Sequence, residues 1–224
     1  MLQIRRAIIT LLLAFSAMSL KAQNAQFALG VRTGYYAAFG GFAAVSLETD
    51  AVISKEFEIG GGVQYNTIGK STVEVRPAYY HNFAWGKLSA EILFNYANLS
   101  SINNFAVGAG VGLSSKWIDG KLGYYYRLYG GKSGHIYEPF NVYYELQANL
   151  LSKIESWDLH LIITNNEIFE LERHYQPSFL VQCRYNHGKH LGVNFGVGCK
   201  PSGLFNITVG HYQSFVKLGV CYRW

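Results

Sequence analysis

The last nine residues, Val216 to Trp224 (VKLGVCYRW), decide the fold. Apolar side chains occupy every second position of this stretch, from Val216 through Val220 to the terminal Trp224. The positions between them hold Lys217, Gly219, Cys221 and Arg223. A period of two places successive side chains on opposite faces of a strand. The C-terminus therefore predicts a β-strand with one apolar face and one face of small or charged residues.

The same alternation recurs along most of the chain. The segments that carry it are 27–37, 57–66, 88–96, 105–113, 140–149, 157–164 and 191–198. One phase of each segment is rich in Phe, Tyr, Leu and Val, and the other holds Gly, Asn, Gln and charged residues. A soluble sheet can alternate in this way, but long aromatic faces opposite polar ones are typical of a barrel in lipid with a polar lumen. Only a closed barrel lets β-strands cross a bilayer, because lipid leaves no backbone group unpaired.

Composition excludes several other classes of protein. Half of the 224 residues are hydrophobic and 16% are aromatic, which is too apolar for a disordered chain. Three cysteines are too few for a disulfide scaffold. No run of 18 apolar residues follows Gln23, so no helical membrane span is predicted there.

The N-terminus has the layout of a secretory signal. Arg5 and Arg6 precede an apolar segment, 7–17, and Ala22 lies in a polar stretch behind it. We predict a signal peptide over residues 1–22 and a barrel domain over 23–224. Removing Arg5, Arg6 and Lys21 from 19 basic residues leaves 16, against 14 acidic ones. A net charge of about +2 gives no indication of nucleic-acid binding.

The alternating final strand that ends on Trp224 resembles the C-terminal strand of Gram-negative outer-membrane barrels. The resemblance covers the chain from residue 23 as a pattern and implies a location in the outer membrane, with outer-membrane lipid around the barrel. In that family the terminal aromatic belongs to the signal that the barrel assembly machinery reads, so this machinery is the implied protein partner. No other protein partner is indicated, and the resemblance implies no specific activity.

Short turns that contain lysine give the strand count. They lie at 54–56, 84–87, 115–117, 152–156 and 187–189, and we interpret them as periplasmic turns. The other breaks, at 40–41, 66–71, 98–104, 130–139, 165–166 and 200–203, would be extracellular. Five turns and six loops join twelve strands. This count takes 169–185 as one long strand and 210–211 as a bulge; the range is 10 to 14 strands, with fourteen if those two segments are hairpins.

The count places all four tryptophans at the periplasmic end. They are Trp85, Trp117, Trp157 and Trp224. Tryptophan is favoured at a membrane interface because its ring is apolar and its N–H seeks a polar partner. We therefore predict a periplasmic aromatic girdle.

The polar phase predicts a network of charges in the lumen. Its members are Arg32, Glu48, Glu74, Arg76, Glu91, Arg127, Glu145, Asp158, His160, Glu170, Glu172, Arg184 and Lys217. Such groups need water or partners. Glycine runs at 60–62, 108–112 and 192–198 reduce the bulk of the lumen, which opens a passage or admits neighbouring side chains. The sequence leaves a plugged lumen and a small-solute pore equally open.

The predicted lumen residues are compatible with three functions. The first is a structural role in the envelope with possible passive diffusion of small solutes, and the alternative is a narrow porin-like channel. The third is a barrel hydrolase acting on lipid or peptide, for which Asp158 and His160 near Glu145 could suggest acid–base chemistry. We favour a structural interpretation of that set and expect no enzyme, no catalytic residue, no cofactor and no metal.

Overall fold

The chain folds, in a computed structural model, into a closed antiparallel β-barrel. The structure describes residues 24–36, 40–99, 102–130, 140–154, 156–165, 177–200 and 213–223. Twelve strands occur within these ranges: β1 (Asn24–Tyr36), β2 (Gly40–Ser54), β3 (Phe57–Asn66), β4 (Lys70–Phe83), β5 (Gly86–Leu99), β6 (Ile102–Ser115), β7 (Ile118–Gly130), β8 (Phe140–Ile154), β9 (Trp157–Thr164), β10 (Ser178–His187), β11 (Leu191–Lys200) and β12 (Gln213–Arg223). The predicted fold class and the count of twelve are confirmed.

The first and last strands close the barrel. β1 and β12 pair without interruption from Gln26 opposite Arg223 to Tyr35 opposite Ser214. The Arg223 guanidinium Nε also donates a hydrogen bond to Oε1 of Gln26 at 2.7 Å. Each other strand pairs with its neighbours in sequence. Closure removes the unpaired strand edges that an open sheet would present.

The two faces of the wall differ as the alternation predicts. Apolar side chains point outward and are exposed, as for Leu29 (54%) and Val45 (51%). The inward phase holds polar side chains that are buried in the barrel, such as Arg32 (8%) and Glu74 (2%). An apolar exterior around a polar interior is the arrangement of a transmembrane barrel. No helix long and apolar enough to cross a membrane occurs in the part of the chain that the structure describes.

Five short connections lie together at one end of the barrel, which we call the turn end. They contain residues 55–56, 84–85, 116–117, 156 and 188–190, within or next to the lysine-containing stretches that the sequence indicated. Gly188 has a positive φ of 65°, a conformation that glycine adopts without steric cost. The opposite end, where residues 67–69 connect β3 to β4, is called the loop end.

Three of the four tryptophans occupy the turn end. Trp85, Trp117 and Trp157 lie at or beside turns, and each side chain is more than half exposed. Phe83 stacks on Trp85, with 5.6 Å between ring centroids, and Tyr185 contacts Trp157 at 4.7 Å. Trp224 lies outside the described residues, so the fourth member of the predicted girdle stays a prediction.

Some predicted strand limits were wrong. Pro177 belongs to no strand and β10 begins at Ser178, so the stretch 169–185 is not one continuous strand. Proline has no N–H for a sheet ladder and is tolerated at the start of a strand, and Pro177 directly precedes β10. Residues 166–176 and the predicted bulge at 210–211 lie outside the described residues.

At the loop end, strands extend further than the polar residues suggested. Gly40 and Gly41 begin β2, and Asn98 and Asn103 lie within β5 and β6. The Asn103 side-chain oxygen accepts hydrogen bonds from the Tyr96 hydroxyl at 2.8 Å and from Asn98 Nδ2 at 2.7 Å. These side-chain bonds join the two strands at positions where asparagine alone indicates a turn.

Candidate functional site: a charged cavity inside the barrel

The structure places most of the predicted charge network on the inward phase. The inward-facing members are Arg32, Glu48, Glu74, Arg76, Glu91, Arg127, Glu145, Asp158, His160, Arg184 and Lys217. Glu170 and Glu172 lie outside the described residues. The same phase holds further charges that the sequence analysis missed: Lys70, Lys87, Asp119, Lys121 and Lys200. Each of these continues the two-residue period of its strand, which is the signal that could have found them.

One side of the lumen, the filled side, is occupied by apolar and aromatic groups. Leu93, Ala106, Tyr125 and Tyr143 of β5–β8 form a buried cluster. The Tyr125 and Tyr143 rings stack with centroids 6.0 Å apart. The Tyr143 side chain has no exposed surface. This side of the barrel therefore has a packed interior rather than a water-filled one.

Tyr143 owes its position to glycines on the two neighbouring strands. Its ring lies across Gly123 of β7 and its hydroxyl reaches Gly110 of β6, so a Cβ at either position would overlap the side chain. The hydroxyl donates a hydrogen bond to Glu91 Oε1 at 3.1 Å, and Lys121 Nζ lies 3.2 Å from Glu91 Oε2. Tyr143 thus spans the inner wall from β8 to β5.

Other inward glycines follow the same rule. Phe215 covers Gly198, Asp50 covers Gly60, and Leu180 lies against Gly196. In each pair the missing glycine side chain makes room for a side chain from the next strand. The glycines therefore admit neighbouring groups, which is one of the two roles that the sequence left open.

The opposite side, the cavity side, contains a cavity of about 230 Å³. Its walls come from β1–β4, β8–β10 and β12. Six charged side chains line it: Arg32, Glu48, Glu74, Arg76, Glu145 and Lys217. All six were predicted as lumen residues. A cavity lined by charges of both signs favours water and polar solutes over apolar ones.

The charges of the cavity are paired to different degrees. Glu74, almost fully buried, lies 2.8 Å from Arg76 Nε and accepts a hydrogen bond from Asn95 at 3.4 Å. Lys217 Nζ is 3.7 Å from Glu48, and both of these side chains are more than a third exposed. A tight buried pair is part of the wall, whereas a loose exposed pair remains accessible from the cavity.

Arg32 and Glu145 complete the set on facing parts of the wall. The Arg32 guanidinium stacks on the Phe215 ring, 3.6 Å from its centroid. Glu145 makes no hydrogen bond or ion pair with any residue that the structure describes. Arg76 of the same cavity lies in electrostatic range of Glu145, and the carboxylate oxygens remain available to water or to a solute.

The predicted residues Asp158 and His160 belong to a separate polar group near the turn end. His160 Nδ1 lies 2.7 Å from Asn149 Oδ1 and 3.2 Å from Gln147 Nε2. Gln147 and Asn149 both donate hydrogen bonds to Asp119. Asp158 accepts its hydrogen bond from Asn186 at 2.9 Å. Amide side chains are thus the hydrogen-bond partners of both Asp158 and His160.

Comparisons with known proteins concern the fold alone. No family model and no curated protein matches the chain. Solved structures do match along most of its length. The chain has the fold of outer-membrane β-barrels. The KdgM porin is similar with a TM-score of 0.56 and 14% identity, over 88% of this chain and 98% of that one. The NanC porin gives 0.57 and 13%, over 87% and 98%.

An enzyme is also among the similar structures. Outer membrane phospholipase A from Escherichia coli has a TM-score of 0.54 and 11% identity, over 90% of each chain. The barrel fold therefore occurs in porins and in a phospholipase, and only the side chains of this chain can indicate its function.

Proposed function

We propose that this protein is a porin-like channel for passive diffusion of small hydrophilic solutes across the outer membrane. The observation that carries the proposal is the charged cavity within the lumen of a closed barrel. Its lining mixes both signs, and the loose pair between Lys217 and Glu48 leaves both groups accessible. Solvated groups of this kind suit a hydrated path rather than a sealed core.

The comparisons favour the narrow channel over the structural envelope role. KdgM and NanC are porins of similar architecture, and each is covered almost completely by the match. A purely structural role has no comparable support. We retain the predicted export through a signal peptide, insertion in outer-membrane lipid, and recognition of the C-terminal strand by the assembly machinery as parts of the proposal. The turn end then faces the periplasm.

The hydrolase is the weaker alternative. Among the described residues, the hydrogen-bond partners of histidine side chains are Asn149, Gln147 and the Arg223 carbonyl, none of them a serine hydroxyl. A nucleophilic serine needs a base within hydrogen-bond reach. The similarity to a phospholipase shows a shared fold, and we propose that this protein has no hydrolytic activity.

Single-channel recording of the refolded protein in a planar bilayer tests the channel. Heat-modifiable migration on a gel first confirms that the barrel has folded. We expect stable current steps that grow with salt concentration. Ser46→Trp places a large ring in the cavity and lowers the step size, whereas Val45→Trp, one residue away on the exposed outer face, leaves it unchanged. A folded barrel without current steps would contradict the proposal.

A further inference from the structure

The cavity has opposite charges on different parts of its wall and no net charge. Three cations (Arg32, Arg76, Lys217) face three carboxylates (Glu48, Glu74, Glu145). The Glu74–Arg76 pair is tight and mostly buried, so it contributes little free charge to a solute. The accessible charges are therefore those outside this pair.

Two accessible groups stand apart in the barrel. Glu145 on β8 makes no hydrogen bond or ion pair with a described residue and lies in electrostatic range of Arg76, and Lys217 on β12 has the 3.7 Å contact with Glu48. Between β8 and β12, the strands β9 and β10 place Ile162 and Leu180 on the cavity wall. The apolar Ile162 and Leu180 thus lie between Glu145 and Lys217, next to the polar Thr164 and Gln182 of the same two strands.

We propose that the cavity is a selectivity site for small zwitterionic solutes, which carry an ammonium and a carboxylate on a short carbon skeleton. The ammonium binds Glu145, the carboxylate binds Lys217, and the carbon skeleton lies over Ile162 and Leu180. This inference rests on the proposed channel function and names the class of solute that the channel prefers.

Electrostatics favours this class over simple ions. A solute with only negative charge is attracted by Lys217 but repelled by Glu48 and Glu145. A solute with only positive charge is attracted by the carboxylates but repelled by Lys217 and Arg32. A zwitterion is attracted at both places at once, so the repulsion from Glu48 beside Lys217 and from Arg76 near Glu145 is offset by two attractions instead of one.

Swelling of vesicles that contain the refolded protein tests the inference at neutral pH. L-serine is the zwitterionic probe, and D-ribose is the neutral probe that reports the open path. We expect Glu145→Gln to lower the ratio of serine to ribose permeation roughly two- to fivefold, the range expected for loss of one solvated ion pair. Lys217→Met lowers the ratio by a similar factor.

Glu58→Gln is the matched control. It removes the same charge from the lumen, but Glu58 lies near the turn end beside Lys87 and does not line the cavity. We expect it to leave the ratio unchanged. Equal ratios in the unmodified protein and all variants would overturn the inference, and so would an equal loss in the control. Absence of swelling with either probe would instead contradict the channel itself.

Discussion

The filled side and the cavity side of the lumen arise from the same strand pattern but have opposite interiors. Both walls alternate apolar residues outward with glycine and polar residues inward. On the filled side, Tyr143 lies flat on Gly110 and Gly123 and buries its whole surface. On the cavity side, Glu145 projects from the same strand, two residues further along, into open space. Alternation therefore fixes which residues face inward, and the size of the facing neighbours decides whether the lumen is packed or open.

Removing the aromatic ring that fills one side should have the largest effect on stability. Tyr143→Ala is expected to lower the free energy of unfolding by about 3–5 kcal/mol, because it removes a fully buried aromatic ring and its hydrogen bond to Glu91. Urea titration of the barrel in phospholipid vesicles measures the change. The same variant should raise the single-channel conductance, since the two sides of the lumen become continuous. Unchanged stability together with unchanged conductance would show that the filled side is not packed as described.

A substitution that crowds the Tyr143 ring should lower the free energy of unfolding by an intermediate amount. Gly123→Ala puts a methyl group into the Tyr143 ring and is expected to cost about 1–3 kcal/mol of unfolding free energy. Gly120→Ala, on the same strand, is the control, because its methyl group would lie 4.0 Å from the nearest atoms. If both variants unfold at the same urea concentration, Tyr143 does not depend on the glycine surface beneath it.

Removing a charge on the cavity side should lower the free energy of unfolding least. Glu48→Gln breaks a 3.7 Å ion pair between partly exposed groups, and we expect a loss below about 1 kcal/mol in the same titration. The glutamine can still accept the Ser46 hydroxyl, which donates to Glu48 at 3.2 Å. A loss as large as that for Tyr143→Ala would mean that the charges of the cavity side hold the barrel together.

The sequence predicted the wall of the barrel better than its contents. Alternation around residues such as Leu29 and Val45 requires only local geometry, so strands, closure and the outward face could be read directly. The position of Tyr143 could not, because the ring meets Gly110 and Gly123 only through the register of β6, β7 and β8. Lys121 was missed for a simpler reason: it lies in a short polar stretch after the Trp117 turn, although it keeps the inward phase of β7.

The sequence predicted which charged residues line the cavity, but it did not predict which of them form pairs. All six charges of the cavity belong to the predicted network, yet the sequence did not distinguish the buried pair of Glu74 and Arg76 from the unpaired Glu145. That distinction depends on distances between strands far apart in the chain. Asp158 and His160, the pair that suggested acid–base chemistry, form hydrogen bonds with amide side chains of neighbouring strands.

The hydrogen bond between Arg223 and Gln26 joins residues separated by 197 positions. A contact of such sequence separation cannot form until nearly the whole chain is present, and contacts of this kind slow folding. Before it forms, β1 and β12 each expose a ladder of unpaired backbone groups, which can pair with another chain. Completion of the barrel therefore depends on the eleven-residue strand β12. Loss of that strand would leave an open sheet with two unpaired strand edges rather than a smaller barrel.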